Sequence, residues 1–133
     1  MRSIKTNIIV LKRFDMGETD RLYTLLSDDL GKVRALAKGV RKPLSKMAGH
    51  LEPYTLSACQ LREGRNFYTL TSADTTLAFR ELRSRLTKTS LAYYLLETVD
   101  SLVIDSERHP AVFQLLRESL QLLEHLPTEL NDR

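Results

Sequence analysis

Six basic residues and no acidic residue lie in the stretch from Gly31 to Lys46. The six cations are Lys32, Arg34, Lys38, Arg41, Lys42 and Lys46. The first half of the stretch alternates apolar and basic residues, which predicts a strand, and Gly39 and Pro43 predict a loop in the second half. Such a surface can neutralise the phosphates of a nucleic acid. It is equally typical of a solvated edge strand whose charges keep the protein soluble, and charge alone leaves both interpretations open.

Aromatic residues flank this stretch along the chain and are candidates for stacking on nucleic acid bases. They are Tyr23, Phe67 and Tyr68, with Phe14 in the first predicted loop as a further candidate. An aromatic ring on a nucleic-acid-binding barrel can stack on a base of any sequence. Each of these rings also suits ordinary packing in the core or at a sheet edge, so both roles stay open.

Three acidic residues of the first predicted loop, Asp15, Glu18 and Asp20, could form a metal or catalytic cluster. Their spacing is not that of a calcium-binding loop, and no supporting carboxylate or histidine motif accompanies them. We therefore interpret them as turn-forming and charge-balancing residues, and expect no catalytic site, no metal and no cofactor. The chain is predicted not to be an enzyme.

The positive charge is concentrated in the first part of the chain. Of the 133 residues, 1–79 contain thirteen Lys or Arg and eight Asp or Glu, a net charge of +5, whereas 80–133 contain seven and nine, a net charge of −2. This asymmetry indicates an anionic partner for the first part, and nucleic acid rather than a membrane, because no basic amphipathic helix occurs there. No apolar run reaches the roughly 20 residues that span a bilayer, and the single cysteine, Cys59, fits a reducing cytoplasm.

Five short strands are predicted in the first part of the chain. They cover 4–12, 21–27, 33–38, 54–61 and 66–72, with a single helical turn possible within 44–50. In the second strand, Tyr23 and Leu25 face one side and Leu22, Thr24 and Leu26 the other. Five closely spaced strands predict a small closed barrel of the OB type, in which no sheet edge is left exposed.

A helical period replaces the strand pattern near residues 74–77, where Asp74 or Thr75 could cap a first helix. A second helix is predicted from about 89 to 104, with an apolar face of Leu91, Tyr94, Leu95, Val99, Leu102 and Val103. A third runs from Pro110 to Leu126 and is apolar around most of its circumference, so it is expected to need partners on more than one side. The predicted fold class is therefore α+β, with an OB-fold barrel over 1–79 and a region of about three helices over 80–133.

Several short stretches, in this order and spacing, resemble the bacterial DNA repair and recombination mediator family RecO. They are Ile8-Ile9-Val10-Leu11-Lys12, Gly17-Glu18-Thr19-Asp20-Arg21, Gly31-Lys32, Lys38-Gly39-Val40-Arg41-Lys42 with Ser45, Tyr94-Leu95-Leu96-Glu97 and Val112-Phe113-Gln114-Leu115-Leu116. Each stretch alone is a weak motif, but the resemblance extends over residues 4–123.

The resemblance implies an N-terminal OB-fold, a helical domain and a non-enzymatic role in the bacterial cytoplasm at the nucleoid. Family members bind single- and double-stranded DNA and anneal complementary strands. With the RecR protein, they load recombinase onto DNA coated by single-strand-binding protein. Arg34, Lys38, Arg41 and Lys42 stand at the matched DNA-contact positions. Members of the family are usually longer and some carry a four-cysteine zinc module, so we expect the helical region to be an incomplete form of the family's C-terminal domain.

Two other interpretations remain open from the residues. The wide apolar surface of the third helix is also typical of a protein-interaction adaptor whose nucleic acid contact is incidental. An OB barrel with a basic surface can also bind RNA.

Overall fold

The computed structural model describes residues 2–127 as a closed five-stranded barrel followed by three helices. The strands are β1 (Ser3–Met16), β2 (Asp20–Ser27), β3 (Gly31–Ala37), β4 (Leu56–Arg62) and β5 (Tyr68–Leu77). A 3₁₀ turn, Ala48–His50, lies between β3 and β4, and the helices are α1 (Arg80–Arg83), α2 (Leu86–Leu102) and α3 (Pro110–His125).

Neighbouring strands follow the order β1-β2-β3-β5-β4, and β4 pairs with β1 to close the barrel. All pairs are antiparallel except β3 and β5, which are parallel. Five strands in this order, with a short helical turn between β3 and β4, form an OB-fold. The predicted fold class, a five-stranded OB barrel followed by a helical region, is therefore confirmed.

Strand alternation separates two hydrophobic clusters, one inside the barrel and one outside it. Ile8, Val10, Tyr23, Leu25, Val33, Ala35 and Ala37 belong to the interior cluster. Ile9, Leu11 and Leu26 point outward and pack with residues of all three helices. The faces predicted for β2 are correct, because a strand's side chains alternate regardless of its partners.

Two predicted strand ends and the predicted helix cap were wrong. β1 continues to Met16 rather than ending near Lys12, and β5 continues to Leu77. Asp74 and Thr75 therefore lie inside β5, opposite Ala58 and Ser57 of β4, and do not cap a helix. Pairing with β4 outweighs the local helical pattern there, and α1 starts only after Phe79, whose φ of 55° lies just before the first helical residue.

The predicted apolar face of the second helix was only partly correct. The buried residues of α2 are Lys88, Ala92 and Leu96, whereas Leu91, Tyr94 and Leu102 are exposed. On α3, Phe113, Leu116, Leu120 and Leu123 are buried on one face, and Leu115 and Leu122 are exposed. Within residues 2–127, α3 is thus covered on one side, and additional partners for it stay a prediction.

Candidate nucleic-acid interface

The outward face of β1, β2 and β3 carries an apolar row. Register pairs Phe14 of β1 with Leu22 of β2, and Leu22 with Leu36 of β3. Paired residues share a face of a sheet, and their neighbours Tyr23 and Ala35 point into the barrel, so this row points outward. We call Phe14, Leu22 and Leu36 the platform. Phe14 is 52% exposed, and the two leucines are half-buried.

A second row, Lys12, Thr24 and Arg34, lies beside the platform on the same face. Lys12 reaches this face because the β1 register shifts between Val10 and Lys12, which is a β-bulge. The Lys12 Nζ lies 5.5 Å from the centroid of the Phe14 ring, within the range of a cation–π contact. The sequence analysis did not select Lys12, Leu22 or Leu36, since only the register reveals their common face.

The residues that follow β3, Lys38 to Lys46, form the basic loop. Hydrogen bonds to the β1–β2 turn fix its first part: the Arg41 N–H donates to the Thr19 carbonyl at 2.9 Å, and Arg41 Nη1 donates to the Gly17 carbonyl at 3.0 Å. The Gly39 N–H donates to Asp20 Oδ1 at 2.7 Å. Gly39 has a φ of +67°, a conformation that glycine adopts without strain. The loop is therefore anchored to the rim of the barrel next to the platform.

The negative charge of Asp20 strengthens the hydrogen bond that holds Gly39 of the basic loop. The N–H of Gly39, above all, lowers the pKa of the Asp20 carboxyl below its ordinary value, and the Thr19 hydroxyl and the charges of Lys38 and Lys42 act in the same direction. Asp20 is therefore ionised at neutral pH and accepts the Gly39 hydrogen bond in its stronger, charged form. The predicted turn-forming role of Asp20 agrees with this geometry.

The six cations of the basic stretch have three different environments. Lys38, Lys42 and Lys46 are exposed, and their ammonium groups have no ion pair or hydrogen bond to any other described residue. Arg41 is half-buried and holds the loop to the β1–β2 turn. Lys32 and Arg34 bind carboxylates of the helical region, Asp100 and Asp105. A DNA-contact role for each of the six stays a prediction.

The stacking candidates also differ in how accessible their rings are. Tyr23 is fully buried in the barrel interior, and Tyr68 is half-buried against the same interior cluster. Phe67 is 38% exposed and directly precedes Tyr68, which pairs with Ala35 of β3. Phe14 and Phe67 are thus the rings that a base can reach without a change in the barrel, and stacking stays a prediction for all four.

The acidic residues of the β1–β2 turn lie close to basic side chains. Asp15 Oδ1 is 3.1 Å from Arg21 Nε and 3.7 Å from Arg41 Nε, while Glu18 is exposed. Across residues 2–127, no three His, Cys, Asp or Glu side chains are grouped closely enough to hold a metal ion. The predicted charge-balancing role of Asp15 agrees with these contacts.

Comparison with known proteins gives two family matches that together extend over nearly the whole chain. The family model described as Recombination protein O N terminal matches residues 1–79, and Recombination protein O C terminal matches residues 83–133. The chain belongs to the RecO family. The resemblance stated from the sequence is confirmed.

Individual members of the RecO family agree with this assignment. The chain is 36% identical to the DNA repair protein RecO of Dehalococcoides mccartyi over 91% of its own length and 48% of the relative's. It is 38% identical to that of Roseiflexus sp. over 92% and 43%, and 42% identical to that of Nocardioides sp. over 93% and 53%. The chain thus spans about half the length of the curated relatives it matches. Among the described helices, none has the length and apolar character needed to cross a membrane.

Proposed function

We propose that this RecO-family chain binds single- and double-stranded DNA in recombinational repair, without catalysing a reaction. The contacts are proposed to lie in the barrel, residues 1–79, with the phosphate backbone on the basic loop. The observation that carries the proposal is that Lys38, Lys42 and Lys46 are exposed on a loop anchored beside the platform, which carries the exposed ring of Phe14. The names of the relatives, DNA repair protein RecO, support a DNA partner over RNA.

The basic loop suits a phosphate track for physical reasons. Exposed lysines that form no ion pair or hydrogen bond with the described residues lose few interactions when they bind phosphate, and they release counterions from the DNA. Because phosphate contacts carry no sequence information, binding is expected to be sequence-independent. With about four such contacts on a single strand, the logarithm of affinity should fall against the logarithm of salt with a slope of about −3.

The exposed rings of Phe14 and Phe67 add a contact that only unpaired bases can make. Stacking of a base on an aromatic side chain contributes ~1–3 kcal/mol and tolerates any sequence. Phe14 stands on the platform, and Phe67 precedes the strand that pairs with β3. We therefore propose that the platform favours single strands, while the basic loop accepts both DNA forms.

The further steps proposed for this chain are those that the family resemblance implies. They are annealing of complementary strands and, with RecR, loading of recombinase onto DNA covered by single-strand-binding protein. A surface that binds two strands without reading their sequence is compatible with annealing, since it screens the repulsion between their phosphates. This role would place the chain in the cytoplasm, at the nucleoid.

The test removes the three exposed lysines together, as Lys38→Ala, Lys42→Ala and Lys46→Ala. Affinity for a single-stranded oligonucleotide should fall for every sequence alike, and the salt slope should become shallower by about 2, because three phosphate contacts are lost. Fluorescence anisotropy at several salt concentrations, with single- and double-stranded DNA, measures both quantities.

The matched control removes three exposed cations outside the basic loop: Lys5→Ala, Arg80→Ala and Arg108→Ala. Both triple variants lose the same formal charge, so a specific track is indicated only if the first loses much more affinity. Equal losses, or binding by the parent chain that does not respond to salt, would contradict the proposal.

A second candidate function, a protein-interaction adaptor, is favoured by one observation. A cavity of about 280 Å³ between α2 and α3 is lined mostly by apolar side chains, among them Leu95, Val99, Leu102, Val112 and Leu115. Calorimetry with RecR, or with the tail peptide of single-strand-binding protein, would detect such a partner. Heat of binding to either one, in a chain that does not bind oligonucleotides, would favour the adaptor over the DNA-binding function.

A further inference from the structure

The connection between α2 and α3, residues 103–109, lies against the start of β3. The Ser106 N–H donates to the Lys32 carbonyl at 2.8 Å, and Asp105 forms a parallel bridge with Lys32. Gly31 touches the same segment so closely that a Cβ atom there would lie 1.8 Å from the Glu107 carbonyl oxygen. Main-chain contacts therefore hold this connection in place independently of its side chains.

The main chain presents the Asp105 carboxylate to two cations of the outward face. Asp105 Oδ2 accepts a hydrogen bond from Arg34 Nη1, and Asp105 Oδ1 is 3.4 Å from Lys32 Nζ. The hydrogen bond and charge of Arg34, above all, lower the pKa of the Asp105 carboxyl, so it is ionised at neutral pH. A fixed negative charge therefore stands at the end of the row that borders the platform.

Lys32 and Arg34 differ in how firmly they are bound. The Lys32 side chain is 8% exposed, and its ammonium donates to the Asp100 carbonyl at 2.7 Å and to the Asp100 carboxylate at 3.2 Å. Arg34 and Asp105 are both at the surface, with side chains 42% and 50% exposed. Exposed ion pairs are weak, so another anion can replace Asp105 at Arg34 at small cost. The buried Lys32 ammonium, in contrast, would lose its contacts with Asp100 if it moved to a ligand.

A DNA strand on the platform would meet this pair directly. Arg34 pairs with Thr24 and is two residues from Leu36 on the same face of β3. A guanidinium binds phosphate with two parallel hydrogen bonds, as it does a carboxylate. The Asp105 carboxylate therefore occupies one of the guanidinium donors that a phosphate next to the platform would use, and its charge repels that phosphate.

We infer that Asp105 is a built-in competitor of the DNA backbone for Arg34, so that a strand on the platform replaces the carboxylate at the guanidinium. The inference rests on the proposed DNA-binding function and adds a restraint on it. In the free chain the restraint lowers affinity for any anion at Arg34. A ligand that also engages the basic loop and the platform makes further contacts, and these offset the small cost of displacing Asp105.

The decisive comparison is Asp105→Asn against Glu107→Gln. Both substitutions remove one negative charge from the same exposed connection, but only Asp105 touches Arg34. At low salt, Asp105→Asn should tighten binding of a single-stranded oligonucleotide about two- to fivefold, the range set by exposed ion pairs. Its salt slope should steepen by about 0.7, as for one additional phosphate contact.

Arg34→Ala tests whether the increase in oligonucleotide affinity depends on the Arg34 guanidinium. In the double variant with Asp105→Asn, the increase should be absent. Equal effects of Asp105→Asn and Glu107→Gln, or a gain that persists without Arg34, would overturn the inference. The proposed function itself fails on a different result, the absence of salt-dependent binding in the parent chain.

A measurement on the parent chain covers the case in which Asp105→Asn folds poorly. Carbonyl-carbon NMR can follow the Asp105 carboxyl through a pH titration, with and without the oligonucleotide. Loss of the Arg34 partner next to bound phosphate should raise the Asp105 pKa clearly, with a smaller rise at Asp100, which keeps Lys32. An Asp105 pKa that does not respond to the oligonucleotide would overturn the inference.

Discussion

Lys32 and Lys46 are both lysines of the basic stretch, but their charges act in different places. The Lys32 ammonium binds the end of α2 through Asp100, which also receives Lys12 Nζ at 2.9 Å. Hydrogen bonds from Lys12 and Lys32 lower the pKa of the Asp100 carboxyl, although its partial burial alone would raise it. The Lys46 ammonium extends into solvent. A buried cation with a fixed partner stabilises the fold, whereas a solvated one is available to a ligand.

Substituting each lysine by methionine should separate these roles. Lys32→Met should lower the free energy of unfolding by about 1–3 kcal/mol, less than a fully buried pair would lose, because Asp100 keeps Lys12 and some water. Lys46→Met, the matched control, should change it by less than about 0.5 kcal/mol and should weaken DNA binding instead. Urea denaturation and anisotropy measure the two effects, and equal stability of both variants would contradict this assignment.

At the scale of the elements, the bulge in β1 decides which face carries the platform. Val10 points into the barrel and Leu11 points out. Strict alternation would send Lys12 back toward the interior, but the shifted register places it opposite Thr24 on the outward face. Phe14 follows Lys12 onto that face. Sequence alternation predicted the strand but not the bulge, because a bulge depends on how the partner strand is paired.

The contact between the β2–β3 turn and the α2–α3 connection can be tested at a glycine. Gly31 has a φ of +77° and its Cα faces the Glu107 carbonyl, whereas Gly17 has a φ of +60° and a Cβ there would have nothing within 4 Å. Gly17→Ala should therefore cost only the left-handed conformation, about 1–2 kcal/mol.

Gly31→Ala adds a collision with a main-chain oxygen to the same conformational cost. It should destabilise the chain by at least about 1 kcal/mol more than Gly17→Ala, because the connection must move away from β3. Thermal unfolding followed by circular dichroism gives the comparison. If the two variants had the same unfolding temperature, the close approach of Glu107 to β3 would be refuted.

For the molecule as a whole, one hydrophobic cluster joins the barrel to the helices. Ile9, Leu26 and Leu56 of the barrel pack in it with Leu96 of α2 and Leu120 of α3. Family models match 1–79 and 83–133 separately, and the boundary predicted near residue 80 stays a prediction. A shared cluster couples the two parts, so we expect them to unfold together.

A pair of leucines on α3 tests this coupling. Leu120 is 0% exposed and Leu122 is 63% exposed. Leu120→Ala should lower the free energy of unfolding by about 2–5 kcal/mol, the cost of a core cavity, while Leu122→Ala should change it by less than about 0.5 kcal/mol. In hydrogen exchange, Leu120→Ala should lower the protection of backbone amides in β1 and β2 as well as in α3. If amide protection fell only in the helices, the barrel and the helices would unfold independently.

Much of the barrel followed from local patterns. The five strands, the faces of β2 and the position of the basic loop each depend on alternation or on turn residues within a few positions. The resemblance to RecO was likewise carried by short stretches in order. These features are readable from one chain because they need no knowledge of which distant residues meet.

The tertiary structure decided which cations of the basic stretch form ion pairs and which are exposed to solvent. Asp100 and Asp105 lie 68 and 71 residues after the cations they bind, Lys32 and Arg34. No local pattern relates these positions, since an ion pair depends on distance in space and on the water it excludes. The sequence alone therefore determined a basic strand and loop, and folding divided its cations into a buried lysine, an exposed ion pair and three solvent-exposed lysines.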